Sequence, residues 1–327
     1  MNECNLMPDV TIKTQDRPRR SVLYMPGSNA RALEKARSLP ADALILDLED
    51  AVAPDVKVLA RDQVCRSVRE GGYGPREIAI RINGLDTPWG NADLAAALAA
   101  CPDALLVPKV SSAEDIAELD NAMTDSDPGI ALWVMMETPL AMLNAGEIAA
   151  SRSQSQSQSQ SQSQSQSQSR GSRLSLFVMG TNDLAKDTGA QLVPGRAPMM
   201  PWLMNCVAAA RAHGVSIIDG VFNGLDDPDG FETECTQGRQ MGMDGKTLIH
   251  PKQIAPANLA FAPTEDEIVQ ARAIIEAFNL EENAGKGAIT LNGRMVERLH
   301  ADMAARVLAK ADAISAMEAP AATEEGA

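Results

Sequence analysis

Eight short runs of apolar residues punctuate this chain, and the stretches between them have helical composition. The runs are Ser21–Met25, Ala43–Leu48, Glu77–Ile82, Ala104–Val107, Ala131–Met136, Leu174–Met179, Val215–Ile218 and Lys246–Ile249. Between them, 30–38, 56–70, 92–100, 113–123, 141–150 and 202–213 carry the alanines and charges of surface helices. Strands that are apolar at nearly every position are covered on both faces, and parallel neighbours need a helix-sized crossover. Eight repeats of that unit predict an α/β fold, a TIM (β/α)8 barrel over residues 18–262. A doubly wound open sheet is the structural alternative, but no Gly-x-Gly-x-x-Gly follows the first run to support a dinucleotide site.

In such a barrel the C-terminal ends of the strands meet at one mouth, where active sites lie. Read in order, those ends carry Pro26-Gly27, then Asp47, Glu49 and Asp50, then Arg81 and Asn83, then Lys109. Glu137, then Thr181, Asn182 and Asp183, then Asp219, then His250 complete the ring. Carboxylates gathered around one arginine suit a hard cation beside an anionic ligand. Glu137 and Asp183 are the leading metal ligands, with Mg2+ the expected ion and Mn2+ an acceptable one. The competing reading is a pair of solvated loop acids. The planar fork of Arg81 suits a bidentate substrate carboxylate, with Asp47, Glu49 and Asp50 as supporting acids. A structural ion pair with Asp47 or Glu49 is the alternative. His250 is as well explained by a structural role as by a catalytic one.

Composition narrows the partners. Lysine and arginine total 29 against 44 acids, a net charge of −15, and aromatics are 3%. That field repels nucleic-acid backbones and anionic lipid, so neither nucleic acid nor a membrane is an expected partner. No apolar run approaches the ~20 residues a spanning helix needs. The five cysteines include no Cys-x-x-Cys pair, which argues against structural zinc and a disulfide framework and for a cytoplasmic setting.

Residues 1–17 and 318–327 read as disordered ends, and the alternating Ser/Gln tract within 151–173 as a disordered insert with nothing to bury. It falls between the fifth helix and the sixth strand, on the side away from the mouth. Residues 263–317 read as an appendage. Thr264 and Glu267 form a capping box opening a helix, 287–291 is a strand, Asn292-Gly293 a tight turn, and 295–317 a second helix.

Six ordered motifs now resemble a known family. They are 20–27 (Arg-Ser-Val-Leu-Tyr-Met-Pro-Gly), 47–52 (Asp-Leu-Glu-Asp-Ala-Val), Arg81-Ile82-Asn83, Glu137-Thr138-Pro139, 180–185 (Gly-Thr-Asn-Asp-Leu-Ala) and 245–251 (Gly-Lys-Thr-Leu-Ile-His-Pro). This pattern looks like the HpcH/HpaI aldolase superfamily, in the branch of the citrate lyase β subunit and the malyl-CoA lyases. The resemblance implies Mg2+ on Glu137 and Asp183, a 3-hydroxyacyl-CoA thioester as substrate, and Arg81 on its carboxylate. It implies CoA contacts near Tyr24, Arg31 and Lys35, and backbone contacts to the thioester at Ile249 and His250. It also implies a homotrimer or homohexamer whose C-terminal segment completes the active site of a neighbouring subunit.

The chain departs from the lyases at one position. Their catalytic aspartate after the hairpin turn is here Glu297, one methylene longer. The fuller pattern looks most like the (3S)-malyl-CoA thioesterase subgroup, so both carbon–carbon cleavage and hydrolysis to malate and CoA stay open. A class II aldolase on free 2-oxo acids, or a lyase subunit active only within a larger complex, are the rivals.

Overall fold

The computed structural model describes residues 17–152 and 172–319. The expectations for 1–16, for the Ser/Gln repeat within 153–171 and for 320–327 lie outside the described residues. The described chain forms two compact units, one of Arg19–Phe261 and one of 17–18 with the residues from Ala262 onward.

In the first unit, eight parallel strands close a barrel in sequence order. They are β1 (Ser21–Pro26), β2 (Ala43–Asp47), β3 (Glu77–Arg81), β4 (Ala104–Val107), β5 (Ala131–Met136), β6 (Leu174–Met179), β7 (Ser216–Asp219) and β8 (Gly245–Leu248). Pairing of Ser21, Val22 and Leu23 with Lys246, Thr247 and Leu248 closes the ring. The TIM barrel expected from the alternation is the fold observed.

Period two along each strand separates two apolar layers. Ile45, Ala79, Leu106, Trp133, Val178 and Ile218 pack with one another inside the barrel. Their chain neighbours Leu44, Ile80, Leu105, Leu132, Phe177 and Ile217 pack outward among helix residues. At the N-terminal end, buried Arg19 grips Glu77 through Nε and Nη2 at 2.6 and 2.8 Å and lies 5.5 Å over the Trp133 ring. Arg20 grips Asp42 in the same way. These buried pairs seal the end opposite the mouth.

The cysteine reading holds for Cys65, Cys206 and Cys235, which are buried thiols, whereas Cys101 is disulfide-bonded. No described helix is long and apolar enough to cross a membrane.

In the second unit, Thr264 and Glu267 cap the helix Glu265–Asn279 reciprocally. Asn292 and Gly293 both adopt positive φ, 50° and 74°, the signature of a two-residue turn that matches strand twist. The hairpin it makes joins β9 (Ala288–Leu291) to β10 (Arg294–Glu297). This corrects the expectation that the last helix begins at Met295. Met295 and Val296 pair with Thr290 and Ile289 instead, and the helix runs Arg298–Glu318. A small core of Ala277, Phe278, Ile289 and Val296 explains the choice: the strand buries Val296 against Phe278.

Candidate active site

On three strands the inward-facing row ends in a charged group. Two residues beyond Ile45 stands Asp47, two beyond Ala79 stands Arg81, and two beyond Met135 stands Glu137. These side chains line a cavity of about 300 Å³ together with Tyr24, Asp50, Thr181, Asn182, Asp183 and Asn223.

Glu137 follows β5 directly, and the chain turns there because Thr138 caps the next helix, Pro139–Leu143, by accepting from Ala141 N–H, and Pro139 starts it. Its carboxylate is 1% exposed. Gly180 makes room for it, since a Cβ there would stand 2.6 Å from Glu137 Oε2. Asp183 lies in the first turn of the helix Thr181–Thr188, where the helix dipole favours an anion. Between the two carboxylates sits the Lys109 ammonium, 2.5 Å from Asp183 Oδ1 and 3.5 Å from Glu137 Oε1. The Lys109 N–H also donates to Glu137 Oε1, at 2.9 Å. Burial raises the Glu137 carboxyl above its ordinary range despite the pull of Lys109.

The fork of Arg81 is engaged on every side. Nε and Nη2 meet Asp47 at 2.7 Å each, and Nη1 reaches Glu49 at 2.8 Å and Asp50 at 3.3 Å. Its plane stacks on Tyr24, 4.8 Å from the ring centroid. The ion pair that the sequence set against a substrate role is thus formed, and it takes one edge of the guanidinium. Asp47 also accepts from the N–H groups of Glu49 and Ala51, which fixes the loop it opens. Burial pushes Glu49 up to about 8, opposed by Arg81 and reinforced by Asp50. The same burial raises the Tyr24 phenol, so it stays neutral.

The other expected residues are spread more widely. Arg31 and Lys35 are exposed, one turn apart, on the helix Ala30–Ala36, whereas Tyr24 lines the cavity itself. Ile249 lines the cavity, and His250 caps a short 3-10 turn, its Nδ1 accepting from Lys252 N–H at 3.1 Å. Asp219 leaves the ring of mouth acids. It lies two beyond outward-facing Ile217 and pairs in full burial with Arg196 and Lys246. Burial alone would raise its carboxyl, but Lys246 and Arg196 prevail and lower it. Glu297 belongs to the second unit, where it is the N-cap of the last helix and its N–H donates to His300 Nδ1 at 3.0 Å.

Three residues with roles at the mouth escaped the sequence reading. Lys109 stood in the ring of strand ends without an assigned task. Buried Lys57 donates to the Leu48 and Glu49 carbonyls and braces the acidic loop. Gln253 accepts from the N–H groups of Ile249 and His250 and donates to the Phe222 carbonyl, tying two mouth loops together. Only Gln253 carried a readable signal, as the third residue of a capping box after His250.

Two carboxylates that grip a shared cation form an all-oxygen donor set for a hard metal ion. Among the described residues no group of three or more potential ligands forms. Water and ligand oxygens would therefore fill the remaining positions, as is usual for Mg2+. The mouth thus brings two carboxylates, a lysine and a guanidinium to one cavity at the C-terminal ends of the barrel strands. The chain belongs to the HpcH/HpaI aldolase/citrate lyase family, whose model matches residues 20–251.

It is 48% identical over 305 residues to the (3S)-malyl-CoA thioesterase of Cereibacter sphaeroides strain KD131, covering 93% of this chain and 99% of that protein. It is 32% identical over 305 residues to citrate lyase subunit beta of Leuconostoc mesenteroides subsp. cremoris, covering 91% and 95%. Among solved structures it resembles protein CitE from Mycobacterium tuberculosis in complex with magnesium, acetoacetate and coenzyme A. The TM-score there is 0.68 at 25% identity, over 91% of this chain and 99% of that one.

Proposed function

We propose that the protein is a Mg2+-dependent enzyme acting on 3-hydroxyacyl-CoA thioesters such as malyl-CoA, with hydrolysis to malate and free CoA as its principal reaction. The observation that carries this reading is the convergence of Glu137, Asp183 and Arg81 on one cavity. The preference for hydrolysis is supported by the 48% identity to a thioesterase, against 32% to a lyase subunit.

Glu137 and Asp183 would hold the metal, which supplies Lewis-acid polarisation of substrate oxygens. Arg81 binds the substrate's free carboxylate. Asp47 fixes the plane of the guanidinium, and the long contact from Nη1 to exposed Asp50 is the one a substrate carboxylate replaces most cheaply. Arg31 and Lys35 face solvent and offer charge to the CoA phosphates. In hydrolysis the water oxygen bonds to the thioester carbonyl carbon, the C–S bond breaks, and the proton removed from water returns to the CoA sulfur. Glu297 of a neighbouring copy, in the C-terminal segment that the family resemblance implies reaches this mouth, is the carboxylate we assign to that proton. We also read the protein as a cytoplasmic homotrimer or homohexamer, a reading tested by light scattering of the purified chain.

Malyl-CoA supplied with Mg2+ should release free CoA, detected as thiol. Excess EDTA should abolish release, and added Mg2+ or Mn2+ should restore it. Undiminished turnover in EDTA would remove the metal from the mechanism.

A further inference from the structure

Lys109 is the residue at the mouth whose geometry the proposed reaction leaves unexplained. It follows Pro108 at the end of β4 with φ 59°, a left-handed conformation that is unfavourable for a non-glycine residue. Such strain persists only where the surroundings impose it. Here the strained backbone aims two groups of one residue at the same target: the N–H at Glu137 Oε1 and the ammonium at Asp183 Oδ1 and Glu137 Oε1. Ser111 Oγ donates to the Lys109 carbonyl and holds the turn from behind.

The three charged partners differ in their access to water. The Glu137 side chain is 1% exposed and that of Asp183 26%, whereas that of Lys109 is 41% exposed. An unpaired buried carboxylate is expensive, so the pair needs a cation at all times. The lysine, on a flexible stem at the rim, is the partner that can leave. Its ammonium faces the same oxygens a divalent ion would use, and the two cannot share them.

We propose that Lys109 is the resident counter-cation of the Glu137–Asp183 pair, holding it assembled before a divalent ion binds and yielding its place to that ion. The inference rests on the assignment of Glu137 and Asp183 as metal ligands. The lysine then acts as a positioning residue that sets divalent affinity by competition. Once displaced it remains on the rim of the mouth as a positive charge available to an anionic ligand.

A purely structural role makes the opposite prediction, because loss of the ammonium would then loosen the ligands and weaken metal binding. The test is a Mn2+ titration of the full-length protein without substrate, read by the EPR signal of the free ion. Lys109→Met keeps the backbone N–H and most of the stem, and Lys109→Gln is the second variant should the first fail to fold. Competition predicts Mn2+ binding on the order of 10-fold tighter than wild type. It also predicts a lower melting temperature than wild type in EDTA, a deficit that closes at saturating Mn2+. Unchanged or weaker binding in the variant, with the wild type binding normally, overturns the role of Lys109 alone. Absence of binding in both proteins overturns the metal assignment and this inference with it.

Discussion

At the scale of single residues, the site works by setting carboxylates against too few cations. Asp47, Glu49 and Asp50 pair with Arg81, and Glu137 and Asp183 with Lys109, so five acids share two cations in ion pairs among the described residues. On the proposed reading Asp183 is one of two charged metal ligands, and its side chain, 26% exposed, is not needed to pack the barrel. Asp183→Asn should lower the rate at least ~100-fold, the scale typical of a key electrostatic group, with the fold retained by circular dichroism. A loss under tenfold would show that Asp183 is not a ligand. Glu49 makes a separate prediction about stability. Its folded pKa of about 8 lies above the ordinary 4.5, so between those values the folded state keeps a proton the unfolded chain has lost. Stability contributed by this residue therefore falls as pH rises through that window. Glu49→Gln cannot ionise, so it should raise the melting temperature more at pH 8 than at pH 5. Equal shifts at the two values would mean that Glu49 is ionised in the folded protein.

At the scale of elements, the strands were legible because most are short apolar runs that alternate with helical stretches, the pattern of buried parallel strands. Their order then placed Glu137, Arg81 and Asp183 together before any coordinates. What stayed hidden was local. The Lys109 backbone turns left-handed against its type, so no periodicity announces where its ammonium points. Met295 and Val296 look like helix formers, and only pairing with Thr290 and Ile289 makes them strand. Asp219 shares its strand-end position with the mouth acids but sits on the other parity of β7, toward Arg196 and Lys246. The flanks of the Ser/Gln tract are also informative. Arg152 donates to the Leu174 carbonyl, and Arg173 to the carbonyls of Met123 and Asp127. Both flanks are tied at the start of β6, the end away from the cavity. Replacing 153–171 with a short Gly/Ser linker should leave kcat and melting temperature nearly unchanged. A large drop in either would show that the tract carries structure or joins subunits.

At the scale of the whole molecule, the proposed function asks a chain of net charge −15 to bind an anionic substrate against its own field. It can do so because attraction at the mouth acts over a few ångströms, while the global repulsion is screened over about 8–10 Å at ordinary salt. On the proposed reading the choice of reaction rests on a finer difference, the glutamate at position 297 where the family resemblance implies aspartate in the lyases. A carboxylate displaced by roughly 1 Å can cost ~100-fold in a step that depends on its placement, which would impair proton transfer to an enolate more than activation of water. The decisive measurement is the product partition of the purified protein given malyl-CoA and Mg2+, with glyoxylate assayed against malate and free CoA. The account predicts malate and free CoA in excess, a larger glyoxylate share in Glu297→Asp, and loss of the dominant reaction in Glu297→Ala. Stoichiometric glyoxylate and acetyl-CoA from the wild type, with no hydrolysis, would contradict it and make the protein a lyase.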